Sequence, residues 1–338
     1  MTRPPPSAPG GSTPVLAVAA PPAAARVLDR LDGVADRVGD RLLRQVVVVD
    51  AAVAEEEAAD VEVLWRYHLP ADQLNAVAAH LPALRWVHSD YVGVDGIDLP
   101  ALARRHITLT NGGDVMARPM AEWVVLAVLA GAKDLPRLVR QSDAGIWDVG
   151  PPARTLQGAV ALLLGLGAVG QLAAPWLHAL GMEVRAAVRH PRPQLPAGVS
   201  TLVTGGDWRQ HLPDADAVIC ALPLTAQTAN LLDTDAFAAM KPGAWLVNVA
   251  RGGIVDEAAL VHALDAGTLG GAVLDAFVKE PLAPAHPLWR RPNVVVLPHA
   301  TWSSPDLSGR LAARFVDKLR CFAAGRPLPD VVDLAAGY

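Results

Sequence analysis

Three residues of complementary chemistry each follow a short apolar run. Arg251 comes after residues 244–249, Glu280 after 271–277 and His299 after 294–297. Such runs read as buried parallel strands, and ligands of parallel α/β sheets bind beyond the carboxyl ends of the strands. An imidazole exchanges a proton near neutral pH, a carboxylate orients it, and a guanidinium fork holds a carboxylate or polarises a carbonyl. Each residue alone would pass for an ordinary surface or core group. Three of them at one sheet rim predict a site.

A second constellation supplies what such a site would act with. Apolar residues run unbroken from 159 to 164 and break into Gly165, Gly167 and Gly170 at G-x-G-x-x-G spacing, and a helical pattern follows over 171–180 with Gly181 as its stop. Strand, glycine turn and helix in that order form the dinucleotide fingerprint. Its first glycine permits the tight turn, its second lets backbone approach a pyrophosphate, and its third lets the helix pack on its strand. Unpaired N–H groups at the helix start, around Ala168 and Val169, face the phosphates. The next strand, 183–188, ends on Val188, where an acid would usually bind the adenosine ribose hydroxyls. With that acid missing and Arg189, His190 and Arg192 beside the position, the charge favours a 2′-phosphate. The expected cofactor is therefore NADP(H), with NAD(H) possible.

The elements that must position these residues alternate strand with helix. Strands are predicted over 15–20, 45–49, 61–65, 84–88 and 107–110, with a helix over 23–31, and after the glycine turn over 183–188, 217–221, 244–249, 271–277 and 294–297. The run 84–88 opens into Ser89, Asp90, Tyr91, Val92, Gly93, Val94 and Asp95, another strand end that can face a ligand. A long helix is expected from Met120 to about Ser142. Because it is apolar nearly all round over 123–132, it should be buried on several sides, between domains or against a second subunit, and a homodimer is expected. An amphipathic helix over 305–324 can return to the first domain. Residues 1–14, rich in Pro, Gly, Ser and Thr, read as a disordered tail.

Composition narrows the alternatives. The chain has 338 residues, 52% of them hydrophobic, and a net charge of -5 without long runs of one sign, so two cores are affordable and neither nucleic acid nor an acidic membrane surface is indicated. The two cysteines, Cys220 and Cys321, have no metal-like spacing and fit a reducing compartment. No apolar run is long enough to span a bilayer, and a cytoplasmic protein without a metal site is expected.

In combination these motifs resemble the D-isomer-specific 2-hydroxyacid dehydrogenases. Beyond the glycine loop, the resemblance rests on Pro223, Leu224, Thr225 and Thr228, on residues 240–243 (MKPG), on 248–257 (NVARGGIVDE), on 274–282 (LDAFVKEPL), and on Pro298 with His299. The ending, residues 325–328 with Gly337 and Tyr338, is similar to the glyoxylate/hydroxypyruvate reductase branch. The resemblance implies two doubly wound parallel-sheet α/β domains. A Rossmann cofactor domain, about 114–301, would be inserted into a flavodoxin-like substrate domain made of 15–113 and 302–338. It further implies that His299 is the acid/base, Glu280 its partner and Arg251 the group binding the carboxylate and polarising the carbonyl of a small 2-ketoacid. Backbone amides around Tyr91, Val92 and Gly93 would hold the carboxylate, and Asp275 would anchor the nicotinamide carboxamide. Leu222, Pro223, Thr228, Val249 and Ala250 would line the cofactor. The expected reaction is hydride transfer between NADPH and a 2-ketoacid or D-2-hydroxyacid.

The chain departs from the family pattern at three places. Tyr91 stands where the carboxylate loop often begins with Gly, Val188 replaces the acid, and Ala168 stands where many members carry Arg. None of these touches Arg251, Glu280 or His299. Two other readings share the fold: a non-enzymatic, dinucleotide-sensing corepressor-like protein, and an NAD-dependent phosphite-type dehydrogenase. The charged trio and the lack of a basic or low-complexity recruitment segment weigh against the first, and the missing acid at Val188 against the second.

Overall fold

In the computed structural model of the chain, residues 15–22, 24, 37–38, 41–47 and 58–338 are described. The tail expected over 1–14 and most of the helix expected over 23–31 lie outside them. The chain divides into two compact units. One joins the chain up to Val115 with Asp306–Tyr338, and the other is Met116–Pro305.

The first unit is built on a six-stranded sheet in the order β2-β3-β1-β4-β5-β6, with strands β1 (Val15–Ala20), β2 (Arg37–Val38), β3 (Arg41–Val47), β4 (Val61–Arg66), β5 (Trp86–Ser89) and β6 (Thr108–Thr110). Pairing is parallel throughout except that β2 runs antiparallel to β3 at the edge. Alternation along β4 divides its side chains between two layers, since successive Cβ atoms point to opposite faces. Leu64 packs with Leu74, Val77 and Leu102 from the helices Ala71–His80 and Leu99–Arg104, whereas Val63 and Trp65 meet Ala312, Phe315 and Leu319 of the helix Leu307–Ala323. Trp65 stacks on Phe315 with ring centroids 4.2 Å apart, and Trp86 lies 5.5 Å from the same ring. Lys318 of that helix is fully buried. It donates to the Asn111 carbonyl and pairs with Asp330 at 2.9 Å, which fastens the helix to the chain leaving β6.

The second unit carries seven parallel strands in the order β13-β12-β11-β10-β7-β8-β9: β7 (Val160–Leu164), β8 (Glu183–Ala187), β9 (Thr201–Val203), β10 (Ala217–Cys220), β11 (Ala244–Asn248), β12 (Leu269–Leu274) and β13 (Val294–Val296). Both sheets are thus doubly wound, as the family resemblance implied, and parallel but for the edge strand β2, as the alternating pattern predicted. In the second, the order reverses between β7 and β10, the switch point beyond which ligands of such sheets bind. Strand β7 is buried along its whole length. Core residues cover both faces: Leu162, Leu246 and Phe237 on one, Leu163, Val247 and Leu177 on the other. Among them burial pushes the Cys220 thiol up to about 12.

One element differs from expectation. The single helix predicted from Met120 to about Ser142 is two helices, Ala117–Ala132 and Leu135–Asp143. Pro136 sits in the first turn of the second, where its missing N–H costs nothing, and Asp134 takes the left-handed conformation (φ 51°) that turns the chain. The apolar periodicity continues across this break, which is why it hides a proline that ends one helix and begins the next.

Candidate functional site

The glycine loop leaves the carboxyl end of β7 at the switch point. Gly165 has φ +98°, and a Cβ there would lie 2.5 Å from the Ala221 carbonyl oxygen, so both conformation and space require glycine. A Cβ on Gly170 would lie 2.6 Å from the Gly165 carbonyl oxygen, which is the close helix-on-strand approach. Gly167 is different: a Cβ would meet nothing within 4 Å. Nothing in the fold itself demands glycine there, whereas a pyrophosphate lying against the backbone would. Gly167 is also the N-cap of the helix Ala168–Ala179, whose first N–H groups, those of Ala168, Val169 and Gly170, have no intrahelical partner. The loop therefore fits a dinucleotide.

Around it stand the residues expected to choose the cofactor. Val188 follows β8, and Arg189, His190 and Arg192 are exposed in the turn beyond it. Arg192 reaches back over the glycine loop, Nη2 donating to the Leu166 carbonyl at 2.8 Å. At the end of β10, Thr228 Oγ1 donates to the Pro223 carbonyl at 2.6 Å and accepts from the Thr225 amide at 2.8 Å. Its hydroxyl thus closes the Pro-Leu-Thr turn. Leu222 abuts the glycine loop, with Cδ2 3.0 Å from where a Gly165 Cβ would stand.

Arg251 sits just past β11 on a turn fixed by Asn248. The Asn248 side chain is buried, its Oδ1 accepting from the Ala250 amide at 3.0 Å and its Nδ2 donating to the Arg251 carbonyl at 3.1 Å. Val249 and Ala250 are buried between them, and Arg251 Nη1 donates to the Ala250 carbonyl at 2.9 Å. At Gly252 a Cβ would overlap the Phe277 backbone. The Arg251 turn therefore rests directly on the loop that leads to Glu280.

That loop and the next one form the acid/base pair. His299 Nδ1 lies 2.8 Å from Glu280 Oε2, while Glu280 Oε1 accepts from the Phe277 amide at 2.9 Å. A carboxylate at Nδ1 selects the tautomer in which Nδ1 carries hydrogen and Nε2 is left to exchange a proton. The two side chains are 38% and 35% exposed, so the pair is open on one side. His299 has φ 53°, a conformation unfavourable for a residue with a Cβ. Two groups hold it there. Asp275, 1% exposed, accepts from the Ala300 amide (2.8 Å), the Thr301 amide (3.1 Å) and the Thr301 hydroxyl (2.5 Å), and Trp302 Nε1 donates to the His299 carbonyl at 2.6 Å. Glu257 adds a third carboxylate by accepting from the Val278 amide at 2.7 Å.

Tyr91, Val92 and Gly93 belong to the first unit. Ser89 Oγ donates to the Tyr91 carbonyl at 3.3 Å and Asn111 Nδ2 to the Val92 carbonyl at 3.1 Å, so the hydrogen bonds on this loop engage its carbonyls. The Tyr91 hydroxyl lies 3.2 Å from His68 Nδ1. Burial raises the Tyr91 hydroxyl above its ordinary value against the opposing pull of Arg66.

Sequence reasoning did not find Asn248, Thr301, Trp302 or Glu257 as positioning groups. A polar Asn closing an apolar strand is a signal that could have singled out the first. Nothing in the sequence marks the Trp302 contact. No group of three or more His, Cys, Asp or Glu that could hold a metal occurs among the described residues.

A family model described as D-isomer specific 2-hydroxyacid dehydrogenase, NAD binding domain, matches residues 125–301, just over half of the chain. The chain belongs to the D-isomer specific 2-hydroxyacid dehydrogenase family. It is 33% identical over 258 residues to the glyoxylate/hydroxypyruvate reductase B of Pectobacterium atrosepticum, a match covering 75% of this chain and 80% of that protein. It is 32% identical over 300 residues to the D-3-phosphoglycerate dehydrogenase of Mycobacterium tuberculosis, covering 88% of this chain and 54% of the relative. The chain thus spans about half the length of the phosphoglycerate dehydrogenases it matches. A D-isomer specific 2-hydroxyacid dehydrogenase from Xanthobacter autotrophicus Py2, solved in complex with NADPH and MES, superposes with a TM-score of 0.79 at 29% identity, covering 96% of this chain and all of that one.

Proposed function

We propose that the chain is an NADPH-dependent reductase of small 2-ketoacids, of the glyoxylate or hydroxypyruvate type. The observation that carries this reading is the His299–Glu280 pair, 2.8 Å apart and open on one side, beside the turn that presents Arg251. When bound at the glycine loop, the nicotinamide supplies the hydride. Glu280 fixes the His299 tautomer, and Nε2 delivers the proton to the carbonyl oxygen as that oxygen becomes an alkoxide. The Arg251 fork holds the carboxylate and draws charge onto the carbonyl oxygen. Val188 with Arg189 and Arg192 supports the 2′-phosphate, and a relative solved with NADPH is consistent with it.

The test is NADPH oxidation with glyoxylate and hydroxypyruvate. His299→Ala should lower kcat by about 10²- to 10⁴-fold, the range for a positioned acid/base, and Arg251→Ala should also raise KM for the ketoacid. Full activity in both variants would end the proposal. Arg189→Ala should weaken NADPH more than NADH; equal effects would remove the phosphate assignment.

A homodimer belongs to the same proposal. A groove of about 540 Å³ in the second unit is lined by apolar residues including Trp123, Leu126, Val139, Trp289 and Val295, and Trp147 nearby in sequence is 97% exposed. Light scattering should give twice the mass of one chain, and Leu126→Glu should halve it.

A further inference from the structure

The carboxylate that meets His299 is tied to backbone, and a second carboxylate beside an imidazole holds that same backbone. Phe277 and Val278 lie just past β12, and their adjacent amides go to two different side chains. Phe277 donates to Glu280 Oε1 at 2.9 Å and Val278 to Glu257 Oε1 at 2.7 Å. The remaining oxygen of each carboxylate faces an imidazole: Glu280 Oε2 lies 2.8 Å from His299 Nδ1, and Glu257 Oε2 lies 3.7 Å from His286 Nε2. The outer pair is the more enclosed, with its side chains 21% and 22% exposed.

Each member of the outer pair is fixed from its own side. Glu257 is the first residue of the helix Glu257–Asp265, whose N-cap Asp256 accepts from the Ala258 and Ala259 amides at 3.0 Å and so keeps the helix start from fraying. A carboxylate in that first turn is also favoured by the partial positive charge of the helix end. His286 caps the single turn Pro287–Arg290. Its Nδ1 accepts from the Leu288 amide at 3.4 Å, which leaves Nε2 to carry hydrogen toward Glu257, and Leu288 itself is buried in the core. The loop from β12 to β13 is therefore gripped where it begins and again where it turns, and Glu280 lies between the two holds.

We propose that Glu257, held by His286, is a positioning residue for the acid/base pair: it fixes the Phe277–Val278 backbone so that Glu280 presents Oε2 to His299 Nδ1. The proposal deepens the reductase reading and rests on it. Val278 is 64% exposed, so without the Glu257 carboxylate its amide can turn to water. Glu280 is bonded to the preceding amide and moves with it, and His299 loses the group that selects its tautomer.

The tautomer of His299 is the readout, because a role confined to folding would leave it unchanged. In the 15N-labelled full chain in alkaline buffer, the ring nitrogens of His299, assigned by their loss in His299→Gln, should show hydrogen on Nδ1. In Glu257→Ala the two nitrogens should become more alike as the Nε2–H form enters. In the same variant kcat for ketoacid reduction should fall about 10- to 100-fold, the cost of a displacement on the order of 1 Å, with KM for NADPH unchanged. Glu257→Gln keeps an oxygen for the Val278 amide and should restore both the Nδ1–H form and most of kcat. His286→Asn keeps a cap for the Leu288 amide but loses the imidazole at Glu257, and should shift the tautomer the same way by less. An Nδ1–H form absent from the unsubstituted chain, or kept in Glu257→Ala, overturns the proposal, as does a Glu257→Gln variant no better than Glu257→Ala. Where Glu257→Ala does not fold, His286→Asn decides in its place: a shifted tautomer upholds the proposal and an unchanged one overturns it. Should the unsubstituted chain reduce no ketoacid, the reductase reading fails, and the tautomer still decides whether Glu257 positions the pair.

Discussion

Replacing Asp275 by Asn tests whether the strain at His299 is held by the carboxylate beneath it. Asp275 accepts three hydrogen bonds, from the Ala300 amide, the Thr301 amide and the Thr301 hydroxyl. An asparagine keeps one oxygen, and whichever way it turns, its NH2 group faces a backbone N–H. The loss of a charge-assisted bond together with a buried donor facing a donor should cost about 2–4 kcal/mol. For a unit of this size that lowers the melting temperature by roughly 5–15 °C. The left-handed backbone at His299 carries about 1–3 kcal/mol of strain, which relaxation would release. If the imidazole leaves its bonded position by that amount, kcat falls about 5- to 150-fold, at tenfold per 1.36 kcal/mol. The assays are a thermal melt by circular dichroism and steady-state NADPH oxidation. An unchanged melt and an unchanged kcat would refute the argument. An unchanged melt with only KM for NADPH raised would instead assign the carboxylate to the nicotinamide.

Two glycines should respond in opposite ways. Gly252→Ala forces a Cβ into the Phe277 backbone and should destabilise the chain by about 3 kcal/mol or more, read as a lower urea midpoint; a midpoint equal to that of the unsubstituted chain would show that the two loops can part. Gly167→Ala meets open space, so its melting temperature should hold while NADPH affinity falls at least tenfold by calorimetry, and undiminished affinity would deny the backbone approach. Acid should weaken the first unit through His88. Burial lowers its pKa below the ordinary 6.5, with the Lys318 charge adding to this and Asp90 and Asp330 opposing it. Between the folded value and 6.5 the unfolded chain takes a proton that the fold refuses, so stability drops as pH falls through that window, by at most about 1.4 kcal/mol per pH unit. Urea midpoints at pH 7.5, 6 and 5 should show the slope, and His88→Gln should flatten it; equal slopes would reject His88 as the source.

The strand, glycine turn and helix at residues 160–179 are readable in the sequence because each part is a local signal: an apolar run, three spaced glycines, an amphipathic period. The end of β1 at Ala20 is equally local. The break at Lys133 and Asp134 is not, because the apolar period runs across it and Pro136 alone betrays it. The support of the site is legible least of all. Asp275 and the Ala300 amide are joined at 2.8 Å across 25 residues of sequence, and Trp302 meets the His299 carbonyl only because a loop folds back on itself. Arg66 appears in the sequence as one more charge at a strand end. Its burial comes with the Leu69 carbonyl and the Tyr91 ring against it, and no spacing encodes that.

The chain crosses from the first unit to the second at Val115 and returns only at Asp306. Phe315 and Lys318, which complete the aromatic layer on Trp65 and Trp86 and the anchor at Asn111, are therefore made last. During synthesis at about 5–20 residues per second, the roughly 190 residues of the inserted unit take some 10–40 s to follow. For that time the sheet of the first unit lacks the helix Leu307–Ala323, while the second unit, contiguous in sequence, can finish. The first unit, whose strands emerge early, is thus completed only when the helix Leu307–Ala323 has followed the inserted unit.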